Sequence, residues 1–300
     1  MKFLVTGATG FIGKSLVNLL LEQGHSILAI SRTENIELQQ DKIIWIQSSL
    51  QLDASAMDRV REFEPEVLIH LAWEKIPDFS FETSVENLNH QLAFFRNIFK
   101  IDSLQKIIVT GSCWEYNKKI GSCVETENVV SSNYFTWAKN SLRDFLQFEC
   151  NQNNIKFIWA RVFYVYGPNQ RRGSLIPTII DKLASNKMPD LQTPKNSNDF
   201  IHVEDVSIGL LKMALKKNQS GIYNLGSGSS TSVYDVFRIV ENSLYGKESY
   251  TKKLFRKTIN TEKSTDFFAD IKKCKTQLSW DTKISLIDGI NALINNSKES

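Results

Sequence analysis

The sequence predicts an α/β fold in which a doubly wound parallel sheet carries helices on both faces and a smaller, discontinuous lobe is added toward the C-terminus. Three observations predict it. Short apolar runs alternate with amphipathic stretches from the first residue on, the pattern of successive βα units. The turn between the first strand and the first helix is glycine-rich, reading Val5-Thr6-Gly7-Ala8-Thr9-Gly10-Phe11-Ile12-Gly13. Val67 to Ala72 is an almost unbroken apolar run, as expected of a parallel strand buried on both faces.

Met1 to Val5 reads as the first strand and Lys14 to Gln23 as the first helix, with Leu16, Leu19 and Leu20 at helical spacing. Gly7, Gly10 and Gly13 between them form a dinucleotide fingerprint of the Rossmann type. Glycines there let a pyrophosphate approach the amides at a helix N-terminus, where the dipole favours an anion. Thr9, Phe11 and Ile12 share the turn and are assigned to the same cofactor site. Ser26 to Ile30 is the second strand, with Ser31 and Arg32 at its tip. In a doubly wound fold that tip lies beside the adenosine ribose, where an acid suits NAD and an Arg suits the 2′-phosphate of NADP. Arg32, with Glu34 further on in the loop, points to NADP, NAD being the alternative.

Ile43 to Gln47 is the third strand and Ala56 to Glu64 a helix ended by Pro65. Val85 to Phe99 is a long helix, Lys106 to Thr110 a strand, Asn133 to Cys150 a helix and Lys156 to Arg161 a strand. Thr178 to Ala184 is a helix, Gly221 to Gly228 a strand and glycine turn, and Ser232 caps a helix through Val240. Residues 1–166 and 199–224 are assigned to the dinucleotide lobe, and 167–198 and 225–300 to the second lobe, with Asn295 to Ser300 frayed.

Three hundred residues suffice for one large domain or two lobes. A net charge of +3 is too small to argue for nucleic acid or an anionic membrane surface. No apolar run approaches the roughly 20 residues of a membrane span, and no signal peptide is visible. Cys113, Cys123, Cys150 and Cys274 lack metal-ligand spacing and read as reduced thiols of a cytoplasmic protein; no metal is expected.

The order of these motifs, from Met1 to about Ala292, resembles the extended short-chain dehydrogenase/reductase superfamily, in its branch of nucleotide-sugar epimerases, dehydratases and reductases. The resemblance implies that Ser49-Leu50, where relatives carry Asp-Leu, lies at the adenine. His70-Leu71-Ala72-Trp73 is similar to the family's His-Leu-Ala-Ala, so Leu71, Ala72 and Trp73 would pass beneath the phosphates and ribose on the nicotinamide side. His70 and Asn87 read as structural. Thr110-Gly111-Ser112-Cys113-Trp114-Glu115-Tyr116 resembles Ser-Ser-x-x-x-Tyr-Gly, which puts Ser112 on the catalytic Ser/Thr and Cys113 and Trp114 beside the substrate.

The family's Tyr-x-x-x-Lys signature is met at Lys139, but Phe135 stands four residues before it. A spacing of four puts both side chains on one helix face, whereas Tyr134 lies about 140° away from the lysine. Three readings stand side by side: a Tyr-to-Phe substitution made to trap a complex; a natural member using Ser112, Tyr134 or a water as its acid; or a chain that keeps nucleotide binding alone.

Arg161-Val162-Phe163-Tyr164-Val165-Tyr166-Gly167-Pro168 resembles Arg-x-x-Asn-x-Tyr-Gly-Pro, implying that Phe163 meets the nicotinamide and that Tyr164 replaces a substrate-binding Asn. Arg171, Arg172, Ser174 and Leu175 would cap the diphosphate of a sugar nucleotide. Asp199 to Val206 resembles the family's Asp-Phe-Ile-His-Val-x-Asp-Val, with His202 structural. The Asp-Glu pair of dehydratases is Cys113-Trp114 here. What the resemblance implies is therefore an NAD(P)-dependent reductase of a 4-keto-6-deoxy or dideoxy nucleotide sugar, a 4-epimerase with retained NAD, or a silent dinucleotide-binding protein. It also implies a homodimer through the helices Val85–Phe99 and Asn133–Cys150.

Overall fold

The computed structural model describes residues 1–33, 41–258 and 265–299; Glu34 and Ser300 lie outside them. Seven strands form one wholly parallel sheet: β1 (Lys2–Thr6), β2 (Ser26–Ser31), β3 (Ile43–Gln47), β4 (Val67–His70), β5 (Lys106–Ser112), β7 (Lys156–Val162) and β11 (Gly221–Leu225). Their order is β11-β7-β5-β4-β1-β2-β3. Strand order reverses between β1 and β4, so a crevice opens at the carboxyl ends of those two strands, where ligands bind in open α/β sheets.

Alternation along the strands divides the core. Phe3 and Val5 face one side of the sheet and pack with Leu16, Val17 and Leu20 of α1 (Phe11–Glu22) and with Val206 and Leu210 of α6 (Val203–Leu215). Leu4 faces the other side. It shares a cluster with Met57 and Val60 of α2 (Ala54–Phe63), Phe94 and Phe95 of α3 (Phe81–Ile98), and Leu142 and Leu146 of α4 (Tyr134–Gln152). A third cluster joins Ile176 and Ile179 of α5 (Leu175–Ala184), Phe237 and Val240 of α7 (Val233–Tyr245), and Ile290 and Ile294 of α9 (Leu286–Glu299).

Several boundaries differ from the sequence reading. α3 starts four residues earlier than expected, because Ser80 accepts from the amide of Thr83 and caps it. Asp53 caps α2 in the same way. Helix α8 (Ser249–Thr258) was not expected, and α9 continues through Glu299 where fraying was expected from Asn295.

The small strands β6 (Ile120–Cys123), β9 (Ser197–Asn198), β12 (Thr231–Ser232) and β13 (Asp266–Ala269) make a four-stranded sheet, and β8 (Tyr164–Tyr166) pairs with β10 (Phe200–His202). β6, expected within the first lobe, thus pairs with a strand of the second.

The Asp205 carboxylate accepts from the amides of Lys283 and Ile284, and its carbonyl from the indole of Trp280, which fastens the C-terminal segment to α6. Ser279 sits at φ 52 in the left-handed region that favours glycine. Among the described residues no helix is long and apolar enough to cross a membrane.

Candidate active site

The crevice predicted by topology is a real cleft. Gly7, Thr9 and Gly10 after β1, Ser31 and Arg32 after β2, Ser49 and Leu50 after β3, and Leu71, Ala72 and Trp73 after β4 all line it. Ile30, Thr33, Ser48 and Glu74 line it too and were not singled out by the sequence.

Its geometry fits a dinucleotide phosphate. Gly10 is the N-cap of α1 and places no side chain over the helix end, and no acid sits in the first turn. The first-turn amides therefore remain available to an anion. A Cβ on Gly10 would meet only the Gly7 carbonyl, at 3.1 Å. Gly7 (φ +69) and Gly13 are different: a Cβ on Gly7 would lie 2.9 Å from the Ala72 nitrogen, and one on Gly13 would overlap the Gly7 carbonyl. Those two let backbone segments touch, while Gly10 keeps the cleft open. Thr9 and Ser31 bridge β1 and β2 through their hydroxyls at 2.7 Å.

Three residues expected at the cofactor turn their side chains elsewhere. The Phe11 ring lines a separate groove between α1 and α6, and Ile12 packs toward the core. Both remain in the first turn of α1, so what they offer the cleft is backbone. Phe163 is buried with its ring 6.4 Å from Tyr116 and 6.1 Å from Phe267, inside the core.

Behind the cleft His70 closes a chain of hydrogen bonds. Its Nδ1 is 2.8 Å from the Thr6 hydroxyl and its Nε2 meets the Gln91 carbonyl oxygen, while the Gln91 amide donates to the Ala72 carbonyl at 3.0 Å. Burial, followed by the charge of Lys139, lowers its pKa to about 3, so the ring is neutral and structural. Asn87 holds both backbone groups of Glu74 and thereby the loop after β4. Glu74 in turn faces Arg32 at 3.7 Å and His90 at 3.8 Å.

The reacting end is built where β5 meets α4. Ser112 ends β5, and its hydroxyl accepts from the Trp114 amide. Its own amide donates to Glu115 at 2.7 Å. Glu115 is fully buried and also accepts from the Trp159 indole and from Arg161 Nε, each at 3.0 Å. Gly111 makes room for this: a Cβ there would lie 2.5 Å from the Glu115 carboxylate. Glu115 was passed over in the sequence, and its signal was two polar residues on the neighbouring strand, since Gly111 and Arg161 are register partners.

The α4 register agrees with the helical-wheel argument. Phe135 is 6% exposed and faces inward with Lys139, whereas Tyr134 is 53% exposed and turns outward against Phe81. Lys139 is buried; its ammonium donates to the Thr110 carbonyl at 2.9 Å and lies 4.0 Å from the centre of the Trp73 ring. Burial lowers its pKa to about 7, with Glu115 pulling the other way. Phe135 packs among Trp73 at 5.5 Å, Phe79 at 5.0 Å and Trp114 at 6.3 Å.

Of the expected substrate contacts, Trp114 and Tyr164 meet, the indole donating to the phenol oxygen at 3.1 Å. Cys113 is buried in the core, and burial pushes its thiol pKa well up. Arg171 is exposed and donates to the Ile76 carbonyl at 3.0 Å, and Arg172 is exposed beside it. Ser174 is the N-cap of α5, Leu175 its first residue. Among the described residues, no cluster of three His, Cys, Asp or Glu side chains could hold a metal.

The chain as a whole is similar to known proteins. Over 310 residues the chain is 24% identical to dTDP-4-dehydro-6-deoxyglucose reductase of Escherichia coli, covering 97% of this chain and 96% of that protein. It is 24% identical over 309 residues to CDP-abequose synthase of Salmonella muenchen, covering 98% and 97%. Its fold is similar to that of UDP-glucose 4-epimerase from Thermotoga maritima, solved with UDP-glucose, with a TM-score of 0.83 at 22% identity over 100% of this chain and 99% of that one. The profile of the family described as NAD dependent epimerase/dehydratase matches residues 3–226. That span runs from β1 to just past β11 and so takes in the entire parallel sheet with its crevice; the chain belongs to the NAD-dependent epimerase/dehydratase family.

Proposed function

We propose that this chain is an NADP-dependent oxidoreductase that reduces a 4-keto-6-deoxy or dideoxy sugar carried on a nucleotide. The names of two relatives, a dTDP-4-dehydro-6-deoxyglucose reductase and a CDP-abequose synthase, support the substrate class. The observation that carries the reductive reading is Arg32, at the tip of β2 on the rim of the cleft. A guanidinium there suits a 2′-phosphate, and NADP as a dissociating reductant suits net reduction.

The first-turn amides of α1 would hold the pyrophosphate, and the loop from Leu71 to Trp73 would lie along the far half of the dinucleotide. When bound, the cofactor supplies the hydride. Ser112 offers its hydroxyl to the sugar oxygen. Lys139 supplies positive charge behind Phe135. Arg171 and Arg172, at the start of the segment that leads into α5, would meet the diphosphate of the sugar donor. The outward faces of α3 and α4 carry Phe81, Tyr134, Trp137 and Phe148 exposed, which supports a homodimer through these helices. Four buried free cysteines suit a reducing cytoplasm.

A second reading, 4-epimerisation with retained NAD, is favoured by Glu74, a carboxylate at the same rim as Arg32. A UDP-glucuronic acid 4-epimerase of Bacillus cereus, solved with its substrate and NAD, has this fold at TM-score 0.82. The test is a panel of dTDP-, CDP- and UDP-linked 4-keto sugars, following NADPH consumption and product stereochemistry. Stoichiometric NADPH loss supports the reductase. Epimerised sugar without net cofactor change supports the epimerase, and cofactor binding without turnover supports a silent binder.

The cofactor choice has its own test. Arg32→Ala is expected to weaken NADP by about 1.5 kcal/mol, roughly tenfold, the low end for a charged hydrogen bond at an exposed site, and to leave NAD unchanged. Equal losses for both cofactors in a titration would refute the role of Arg32.

A further inference from the structure

Phe135 leaves the active site without the hydroxyl that the rest of its arrangement implies, and the structure offers a different phenol. Three nearby tyrosines are committed elsewhere. Tyr116 donates to Asn224 at 2.7 Å, Tyr166 donates to the Ser285 carbonyl, and Tyr134 faces outward. Tyr164 is not. Its oxygen accepts from the Trp114 indole at 3.1 Å, and it donates its own proton to no group among the described residues.

Its place is also fitting. β7 ends at Val162, the register partner of Ser112, so Tyr164 stands two residues on, beside the end of β5. The ring is held from behind by Phe200 and Phe267, at 6.0 and 6.1 Å. The Trp114 ring that grips the phenol is 5.1 Å from Phe79 and 6.3 Å from Phe135. One indole therefore lies against both this hydroxyl and the position that a catalytic phenol on α4 would have occupied.

We propose that Tyr164 is the proton donor of the reduction. This rests on the reductase reading above. As hydride from NADPH bonds to the carbonyl carbon, the carbonyl π pair moves onto oxygen, and that oxygen takes the Tyr164 proton to give the alcohol. The phenolate left behind accepts the Trp114 N–H bond and regains a proton from solvent. Ser112, an alkanol whose oxygen has no ring to delocalise its anion, orients the same carbonyl.

Tyr164→Phe is expected to lower kcat on a 4-keto nucleotide sugar by about 10²–10⁴-fold, the usual contribution of a positioned acid. The loss should be larger than that of Ser112→Ala, and NADPH affinity should be unchanged. In calorimetry without cofactor, the variant should bind the keto sugar several-fold more weakly and the bare nucleoside diphosphate as tightly as the unmodified chain. A merely structural role would weaken both. Adding Phe135→Tyr to Tyr164→Phe should restore turnover, because it returns a phenol to the same Trp114 indole from α4.

Full activity in Tyr164→Phe, with the unmodified chain active, overturns Tyr164 and leaves the reductase reading intact. Equal weakening of keto sugar and nucleoside diphosphate also overturns it. An unmodified chain that binds NADPH but turns over none of the panel overturns both.

Discussion

Replacing Lys139 by Met is expected to lower turnover by about 10²–10³-fold, the cost of removing one preorganised charge from a site, and at the same time to stabilise the fold near neutral pH. The second effect follows from burial. The Lys139 ammonium is held at a pKa of about 7, against 10.5 when exposed. Between those two values the unfolded chain binds a proton that the folded chain does not, so stability rises with pH across that window. The burden is present in full below about pH 7 and is gone above about 10.5.

The displacement corresponds to about 5 kcal/mol. The lost bond to the Thr110 carbonyl and the lost contact with the Trp73 ring return about 2 kcal/mol of that. A net gain of about 3 kcal/mol should raise Tm by several degrees at pH 7 and not at pH 10.5. Melting curves across that range decide it; a Tm change that is the same at both pH values, or a loss at pH 7, would contradict a buried, desolvated lysine.

Gly10→Val should remove dinucleotide binding from a protein that still folds. Gly10 has φ −73, which any residue adopts, and its Cβ direction is open except for the Gly7 carbonyl. The valine methyls would stand where the pyrophosphate approaches the helix end. Loss of at least about 100-fold in NADP affinity is expected, more than 2.7 kcal/mol, with Tm almost unchanged. A folded variant with native affinity would move the phosphate site elsewhere. The same experiment at Gly7 or Gly13 would not discriminate, because a side chain there collides with backbone.

The parallel sheet was legible because each of its strands is a local apolar run that needs no partner to be recognised, as in Phe3 to Val5 or Ile107 to Val109. The cleft followed from it, since topology alone sends the ends of β1 and β4 to one place. The short strands were not legible. Ser197–Asn198 and Thr231–Ser232 carry no period, and they are strands only because each pairs with the other across the fold.

The helix register at Phe135 and Lys139 was legible from spacing. The position of Trp73 over Lys139 was not, because it is a contact between the ends of two elements far apart in the chain. The direction of the Phe163 ring was not legible for the same reason: a strand end says which residues are near the cleft, and packing against Tyr116 and Phe267 decides which way a ring turns. Tyr164 could be named as a substitution, but the direction of its hydroxyl depends on Trp114.

The floor of the reacting end also carries a timetable. Tyr116 is secured by Asn224, 108 residues later, and Asn224 in turn grips the carbonyls of Cys123 and Asp270. Strands β1 to β5 find one another within residues 2–112. The segment from Cys113 to Cys123 gains a partner from the far end of the chain, where β13 pairs with β6. Closing such distant contacts is the slow part of folding. The strand pairings beneath the nucleotide half of the site are thus closed by shorter loops than the contacts that finish the chemical half.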